Sequence, residues 1–252
     1  MSDKPVWPIG VARHVLATVD STNAHALRQA ANLIGPAWYL AGEQTAGKGR
    51  RARAWASPRG NFHATLVMRL AEPPAVIALR SFAAALALRE ALVALTGLPC
   101  AFTLKWPNDV LLNGAKVAGI LLESSGQRDG SSHLAVGIGV NLIAAPAPQE
   151  LEPGAMPAVT ILAETGLRID PGVLLDHLAP AFARWESVLR CAGFTPLRVE
   201  WLTHAARLGM PIRARTMRDT HEGTFDTIDP AGNLVLATAQ GRLAIPAADV
   251  FF

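Results

Sequence analysis

The residue types suited to chemistry fall in four short stretches of this chain. The first is Gly47-Lys48-Gly49-Arg50-Arg51-Ala52-Arg53, with Gln44 before it and Trp55 after it. Glycines let backbone approach a ligand closely, and arginines supply planar donor forks for carboxylate and phosphate. Such a loop suits a reaction in which two anions must be held in contact. A solvated basic loop that binds nothing defined is the alternative. The spacing is not that of a Walker A loop, because the closing Lys-Ser/Thr is missing. The second stretch is Lys105-Trp106-Pro107-Asn108-Asp109, where a lysine ends an apolar strand. Its stem can pack while its ammonium meets developing charge on phosphate and carbonyl oxygens, or it can simply snorkel to solvent.

The third stretch, Val136-Gly137-Ile138-Gly139-Val140-Asn141, alternates glycine with aliphatic residues. On a strand this strips the side chains from one face, leaving room for a flat ligand or for close helix packing. No third glycine opens a helix, so the dinucleotide-binding fingerprint fails. The fourth is Ser21-Thr22-Asn23 at a strand-to-helix junction. These are ordinary capping residues, and they also suit a neutral ring rich in donors and acceptors. Lys116 and Gly119 on a neighbouring strand are further candidates, with core or surface roles open to them. The histidines are scattered. No nucleophilic triad and no zinc spacing can be drawn, and no metal ligands are assigned.

Positioning these residues requires a sizeable fold. The 252 residues are 50% hydrophobic and 17% charged, with a net charge of +3. That supports a large core and excludes a disordered chain or a densely basic nucleic-acid binder. Five basic residues nonetheless crowd between Lys48 and Arg59. Cys100 and Cys191 lie in apolar stretches and read as buried thiols of a reduced, cytoplasmic protein. Neither a signal peptide nor a membrane span is expected. Strands are expected at 14–19, 38–42, 61–70, 101–106, 110–112, 116–123 and 134–141. A Gly/Ser-rich turn should fill 124–132 and a Pro-rich loop 146–157. Helices are expected from 21 to about 31 and at 76–96, 160–164, 171–191 and 195–204. Asn113-Gly114 marks a two-residue hairpin. Beyond 206, short strands at 212–217, 222–228, 234–237 and 242–245 suggest a small β-barrel. The expected class is α+β: a mixed sheet with flanking helices over 1–205, then a barrel over 206–252.

In this order and spacing the stretches resemble the catalytic domain of biotin protein ligases. The matching segments are DSTN at 20–23, EQTAGKGRRARAW at 43–55, SPRGN at 57–61, KWPNDV at 105–110, KVAGILLE at 116–123 and GIGVNL at 137–142. The glycine–arginine loop and the lysine–tryptophan–proline–asparagine segment are specific as a pair. The resemblance implies a fold like that of class II synthetases and biotin/lipoate ligases, with an SH3-like C-terminal barrel. It implies an ATP-dependent ligase that forms biotinyl-5′-adenylate and passes biotin to a lysine of a carboxylase carrier domain. ATP and biotin would be substrates and Mg2+ is expected. DNA and membrane are not expected partners, and a homodimer is left open.

Carried across by position, the resemblance puts Ser21, Thr22, Asn23 and Gln44 around the biotin ring. Lys48, Gly49 and Arg50 would cover its acyl arm, with Gly119, Gly137 and Gly139 also on the biotin side. Arg50 and Lys105 would be catalytic, on the carboxylate–phosphate junction. Arg53, Trp55, Asn108, Lys116 and Asn141 would face the nucleotide. Asn108 and Asp109 are open to other roles, toward the acceptor lysine or a metal. The basic loop is expected to be disordered and to close over both substrates. Lys48 and Ala52 stand where the family often has arginine and glycine. The chain begins almost at the catalytic domain, which leads to the expectation of a ligase without a DNA-binding repressor module. Two rivals remain: a lipoate or octanoyl transferase of the same superfamily, and a non-catalytic RNA-binding module.

Overall fold

The computed structural model describes residues 5–126, 131–151 and 156–252. Its larger part is a seven-stranded sheet in the order β1-β2-β3-β7-β6-β5-β4. The strands are β1 (Ala12–Leu16), β2 (Ala37–Ala41), β3 (Phe62–Leu70), β4 (Phe102–Lys105), β5 (Asp109–Leu112), β6 (Ala115–Gly126) and β7 (Ser132–Val140). β1 and β2 run parallel and the other described neighbours antiparallel, so the sheet is mixed, as expected. The β5–β6 turn places Asn113 and Gly114 at positive φ, as a two-residue hairpin demands.

The sheet has two unlike faces. One is covered by α3 (Arg80–Thr96) and α5 (Pro171–Ala192), with α6 (Phe194–Thr203) packed against both helices. Phe62, Ala64, Leu66, Met68, Val136, Ile138 and Ile120 point from the sheet into this core. The other face carries α1 (Thr22–Gln29), whose Ala26 packs with Tyr39 and Val67. Strand pleating separates the two sets, because alternate residues go to opposite sides.

Most element boundaries move by one to three residues from those expected. The helix expected at 76–96 is two pieces, α2 (Pro74–Ala78) and α3, because Pro74 starts a helix two residues earlier and the chain bends at Leu79. Ser124–Gly126 continue β6 instead of turning. Residues 127–130 of the expected turn and 152–155 of the Pro-rich loop lie outside the described residues. α4 (Ile161–Thr165) is capped by Thr160. Both cysteines are exposed, which corrects the buried reading. Cys100 sits in the turn before β4. Cys191 is two residues beyond buried Leu189 on α5, and a step of two residues points to a different side of the helix.

The C-terminal segment forms β8 (Pro211–Arg215), β9 (Thr220–Ile228), β10 (Leu234–Thr238), β11 (Gly241–Ile245) and β12 (Asp249–Phe251). They make an antiparallel sheet in the order β11-β10-β9-β8-β12, which fits an SH3-like domain. β12 was not anticipated. Its three residues are too few to show alternation, and pairing with β8 defines it. Trp106 Nε1 donates to the carbonyl of Gly232 (3.0 Å), tying the seven-stranded sheet to this domain. Among the described residues, no helix is long and apolar enough to cross a membrane.

Candidate active site

One row of the sheet underlies the site. Lys105 opposes Asp109, Asp109 opposes Gly119, and Gly119 opposes Gly139. Directly opposed residues send their side chains to the same face. Lys105 and Asp109 therefore stand at one end of a strip that Gly119 and Gly139 leave bare. Two residues along, Gly137 opposes Thr65 and Leu121 on the same face. This face is the one that carries α1.

The strip is lined by two side chains. A Cβ at Gly137 would lie 2.3 Å from Asn23 Oδ1, and one at Gly139 would lie 2.5 Å from Trp55 Nε1. The Trp55 ring also reaches Gly119, where a Cβ would meet Cζ3 at 3.2 Å. The flat group lying on glycine backbone is thus the protein's own indole. This places Trp55 on the strip assigned to biotin, although the resemblance set it toward the nucleotide.

The polar candidates near α1 are wired together. Ser21 caps the helix, its Oγ accepting from Ala24 N at 3.4 Å. Gln44 Oε1 accepts from the Thr22 backbone N–H (2.8 Å) and hydroxyl (3.0 Å), while Gln44 Nε2 donates to Ser57 Oγ (2.7 Å). Thr65 Oγ1 donates to Asn23 Oδ1 (2.6 Å), and Asn23 Nδ2 donates to Glu123 Oε2 (2.8 Å). Ser21, Thr22 and Asn23 are buried, so this network fixes which atoms remain to face a ligand. Thr65 was missed because a lone polar residue in a strand has no motif of its own; Ser57 and Glu123 lie inside matching segments but were given no role.

At the other end, Asp109 is ion-paired with two ammonium groups. Lys116 Nζ lies 2.7 Å from one oxygen and Lys105 Nζ 3.5 Å from the other. Burial pushes the Asp109 carboxyl up, but the two lysines outweigh it and hold it below its usual value. Burial pushes the Lys105 ammonium below the ordinary lysine value, against the pull of Asp109. Lys116 also lies 5.4 Å over the Trp55 ring.

The basic loop is a hairpin closed by its own backbone hydrogen bonds. Gly49 N–H donates to Arg53 O (2.8 Å) and Trp55 N–H to Gly47 O (2.9 Å), with Lys48 bridging Ala54. A Cβ at Gly47 would fall 2.6 Å from Ser57 Oγ, so the close approach requires glycine. Arg50 Nη1 donates to Asn108 Oδ1 (3.5 Å) and to Ala248 O (3.2 Å). Burial lowers the Arg50 pKa, offset by Asp249 and Asp109, and a guanidinium stays charged regardless. Asn108 in turn donates through Nδ2 to Ile120 O (2.6 Å). Arg50 and Lys105 therefore converge on Asn108–Asp109, as chemistry on two anions requires. Lys48 is exposed, and Asn141 is buried at the end of β7. Asn61, also unanticipated, accepts through Oδ1 from the N–H groups of Leu142, Ile143 and Ala144 and so shapes the loop after Asn141.

The sequence pattern of the biotin/lipoate A/B protein ligase family matches residues 15–141, a span that contains all the candidate site residues from Ser21 to Asn141. The chain belongs to that family. The pattern of the biotin protein ligase C terminal domain matches residues 208–252. Among relatives of the family, the biotin–acetyl-CoA-carboxylase ligase of Paracoccus denitrificans is 55% identical over 94% of this chain and 99% of its own. The biotin protein ligase of Aquifex aeolicus, solved with biotin and ATP, superposes with a TM-score of 0.81 at 24% identity, covering 95% of this chain and 98% of that one. The ligase of Leishmania major, solved with biotinyl-5-AMP, gives 0.66 at 26% identity over 94% and 99%.

Proposed function

We propose that this chain joins biotin to the α-phosphate of ATP as biotinyl-5′-adenylate and then transfers the biotinyl group to a lysine of a carboxylase carrier domain. One observation carries the site assignment: Arg50 and Lys105 meet at Asn108–Asp109 beside a glycine strip lined by Trp55 and Asn23. The 55% identity to a biotin–acetyl-CoA-carboxylase ligase supports the substrates.

In this reading the polar network at Ser21, Thr22, Asn23 and Gln44 receives the ureido ring, and the Gly119–Gly137–Gly139 strip with Trp55 receives the ring system and acyl arm. Lys105 and Arg50 bracket the biotin carboxylate and the α-phosphate. A carboxylate oxygen attacks the phosphorus, pyrophosphate departs, and the two cations neutralise charge that would otherwise keep the anions apart. Arg53, Lys116 and Asn141 serve the nucleotide side, with Lys48 and Gly49 covering the arm. In the second half-reaction the acceptor amine attacks the carbonyl carbon and AMP departs. Asp109 is a poor proton acceptor there, because two ammonium groups hold it ionised. It positions Lys105 and Lys116.

Magnesium enters with ATP as part of the substrate. Among the described residues no group of three or more His, Cys, Asp or Glu could hold a metal, and the carboxylates at this site are engaged by lysines and arginines. That donor set does not make a resident metal centre. The reaction belongs in the cytoplasm, where ATP and carrier proteins meet.

The test is pyrophosphate release with and without biotin, followed by addition of a biotin carrier domain. Biotin-dependent release and labelling of one carrier lysine are expected. Release driven by lipoate instead would move the assignment to the other branch of the family.

A further inference from the structure

The tip of the basic loop is fastened to a residue that belongs to no motif. Asp249, the first residue of β12, has its side chain 12% exposed and is ringed by four guanidinium groups. Arg51 lies 2.5 Å away, Arg53 3.0 Å, Arg215 3.8 Å and Arg50 3.9 Å. Three of the four come from the loop, 196 to 199 positions away in sequence, and the fourth from neighbouring β8. Between Arg50 and Arg53 the backbone is strained. Arg51 and Ala52 both have positive φ, 55° and 57°, although neither is glycine. A non-glycine pair stays in that region only when its surroundings over-determine it. The bonds from Arg51 and Arg53 to one carboxylate supply that constraint on both sides of the strained pair.

The arrangement also sorts the arginines. Arg51 and Arg53 both donate to Asp249, whereas Arg50 is drawn inward, to Asn108 and the Ala248 carbonyl. Ala248 is the residue before Asp249, so a single short segment receives both the outward and the inward arginines. Phe252, three residues on, sets its ring 5.7 Å from Lys105 Nζ.

We propose that Asp249 is a positioning residue of the ligase reaction: its carboxylate anchors Arg51 and Arg53, holds the loop tip in its strained form, and thereby presents Arg50 to the substrates. The C-terminal domain thus takes part in building the catalytic site. The benefit for catalysis rests on the role given to Arg50 above, whereas the anchoring itself is independent of it.

Two measurements on the full chain separate these points. Trypsin cleavage after Arg50, Arg51 and Arg53 reads the anchor without any substrate. In Asp249→Asn the loop should be cut roughly tenfold faster than in wild type, as expected for loss of a charge-assisted pair. Asp249→Glu should restore most of the protection. In biotin-dependent pyrophosphate release, Asp249→Asn should raise KM for biotin and ATP roughly tenfold with kcat within about twofold, because ordering the loop becomes part of binding. Arg51→Gln approaches the same contact from the loop side. The double variant Asp249→Asn/Arg51→Gln should be no worse than either single one. Unchanged cleavage in Asp249→Asn, or additive effects in the double variant, would overturn the anchor. Faster cleavage with unchanged KM would keep the anchor and remove the role of Arg50. A fall in kcat alone would place Asp249 in the chemistry and contradict a positioning role.

Discussion

Two buried charge clusters in this molecule are built from the same parts with opposite surplus. On the helical side, Arg80 is fully buried and pairs with Glu72 and Glu186, each at 2.8 Å. On the site side, Asp109 is buried and pairs with Lys105 and Lys116. The first holds one cation and two carboxylates, the second one carboxylate and two ammonium groups. The protonation behaviour follows the surplus. Burial pushes the Glu186 carboxyl up and Glu72 adds to it, more than Arg80 can offset. Asp109, under still deeper burial, is held down. An excess of negative charge relaxes by taking up a proton. An excess of lysine charge, next to a glycine strip that Trp55 covers, can be balanced by an incoming anion. Under the proposed function, the first cluster is structural and the second is prepared for substrate.

Removing the surplus cation should produce the largest effect. Lys105→Ala is expected to lower kcat for biotin-dependent pyrophosphate release by about 10³-fold, in the range found for a lost charge-stabilising donor, with a melting temperature close to wild type. Wild-type activity should also fall on the alkaline side through a pKa below that of free lysine, because burial pushes Lys105 down. A pH–rate profile that stays flat up to the ordinary lysine range would dissociate Lys105 from the reaction.

Next comes Arg80→Met, which should cost about 3 kcal/mol of stability by leaving two carboxylates without their cation. Denaturant unfolding measures this directly. The folded fraction should keep wild-type KM values, because Arg80 lies on the far side of the sheet. A selective rise in KM would blur the distinction between the clusters.

The sequence marked the chemistry better than its supports. Lys105, Arg50 and the glycines at 137 and 139 stood out because lysine at a strand end, arginines among glycines and alternating glycines are each unusual locally, whereas Gly119 was a weaker candidate. The strand pattern also indicated a mixed sheet and a small C-terminal barrel. What stayed hidden was set by register and long-range contact. That Lys105, Asp109, Gly119 and Gly139 share one row depends on how four strands pair. That Asp249 meets the loop depends on a three-residue strand near the end of the chain. The cysteines misled because apolar neighbours in sequence were taken as neighbours in space, whereas Cys191 sits on a helix and Cys100 in a turn.

A smaller effect concerns acid stability. Asp109 has a depressed pKa in the folded protein, so its contribution is full above the ordinary aspartate value and is lost as pH falls through the lower folded value. Asp109→Asn should therefore destabilise the protein most at neutral pH, by about 2 kcal/mol, with the gap to wild type closing as the pH falls below about 4. Urea unfolding at pH 7 and at pH 3 would show it. A gap that widens in acid would reverse the sign and refute the pairing.

The most direct test is the affinity for a non-hydrolysable biotinyl-adenylate mimic, measured by calorimetry on wild type, Lys105→Met and Arg80→Met. If the surplus positive charge at Asp109 is what receives the joined anions, Lys105→Met should bind about 100-fold more weakly, a loss of roughly 2.7 kcal/mol, and folded Arg80→Met should bind as wild type does. Binding by Lys105→Met within twofold of wild type would contradict the account.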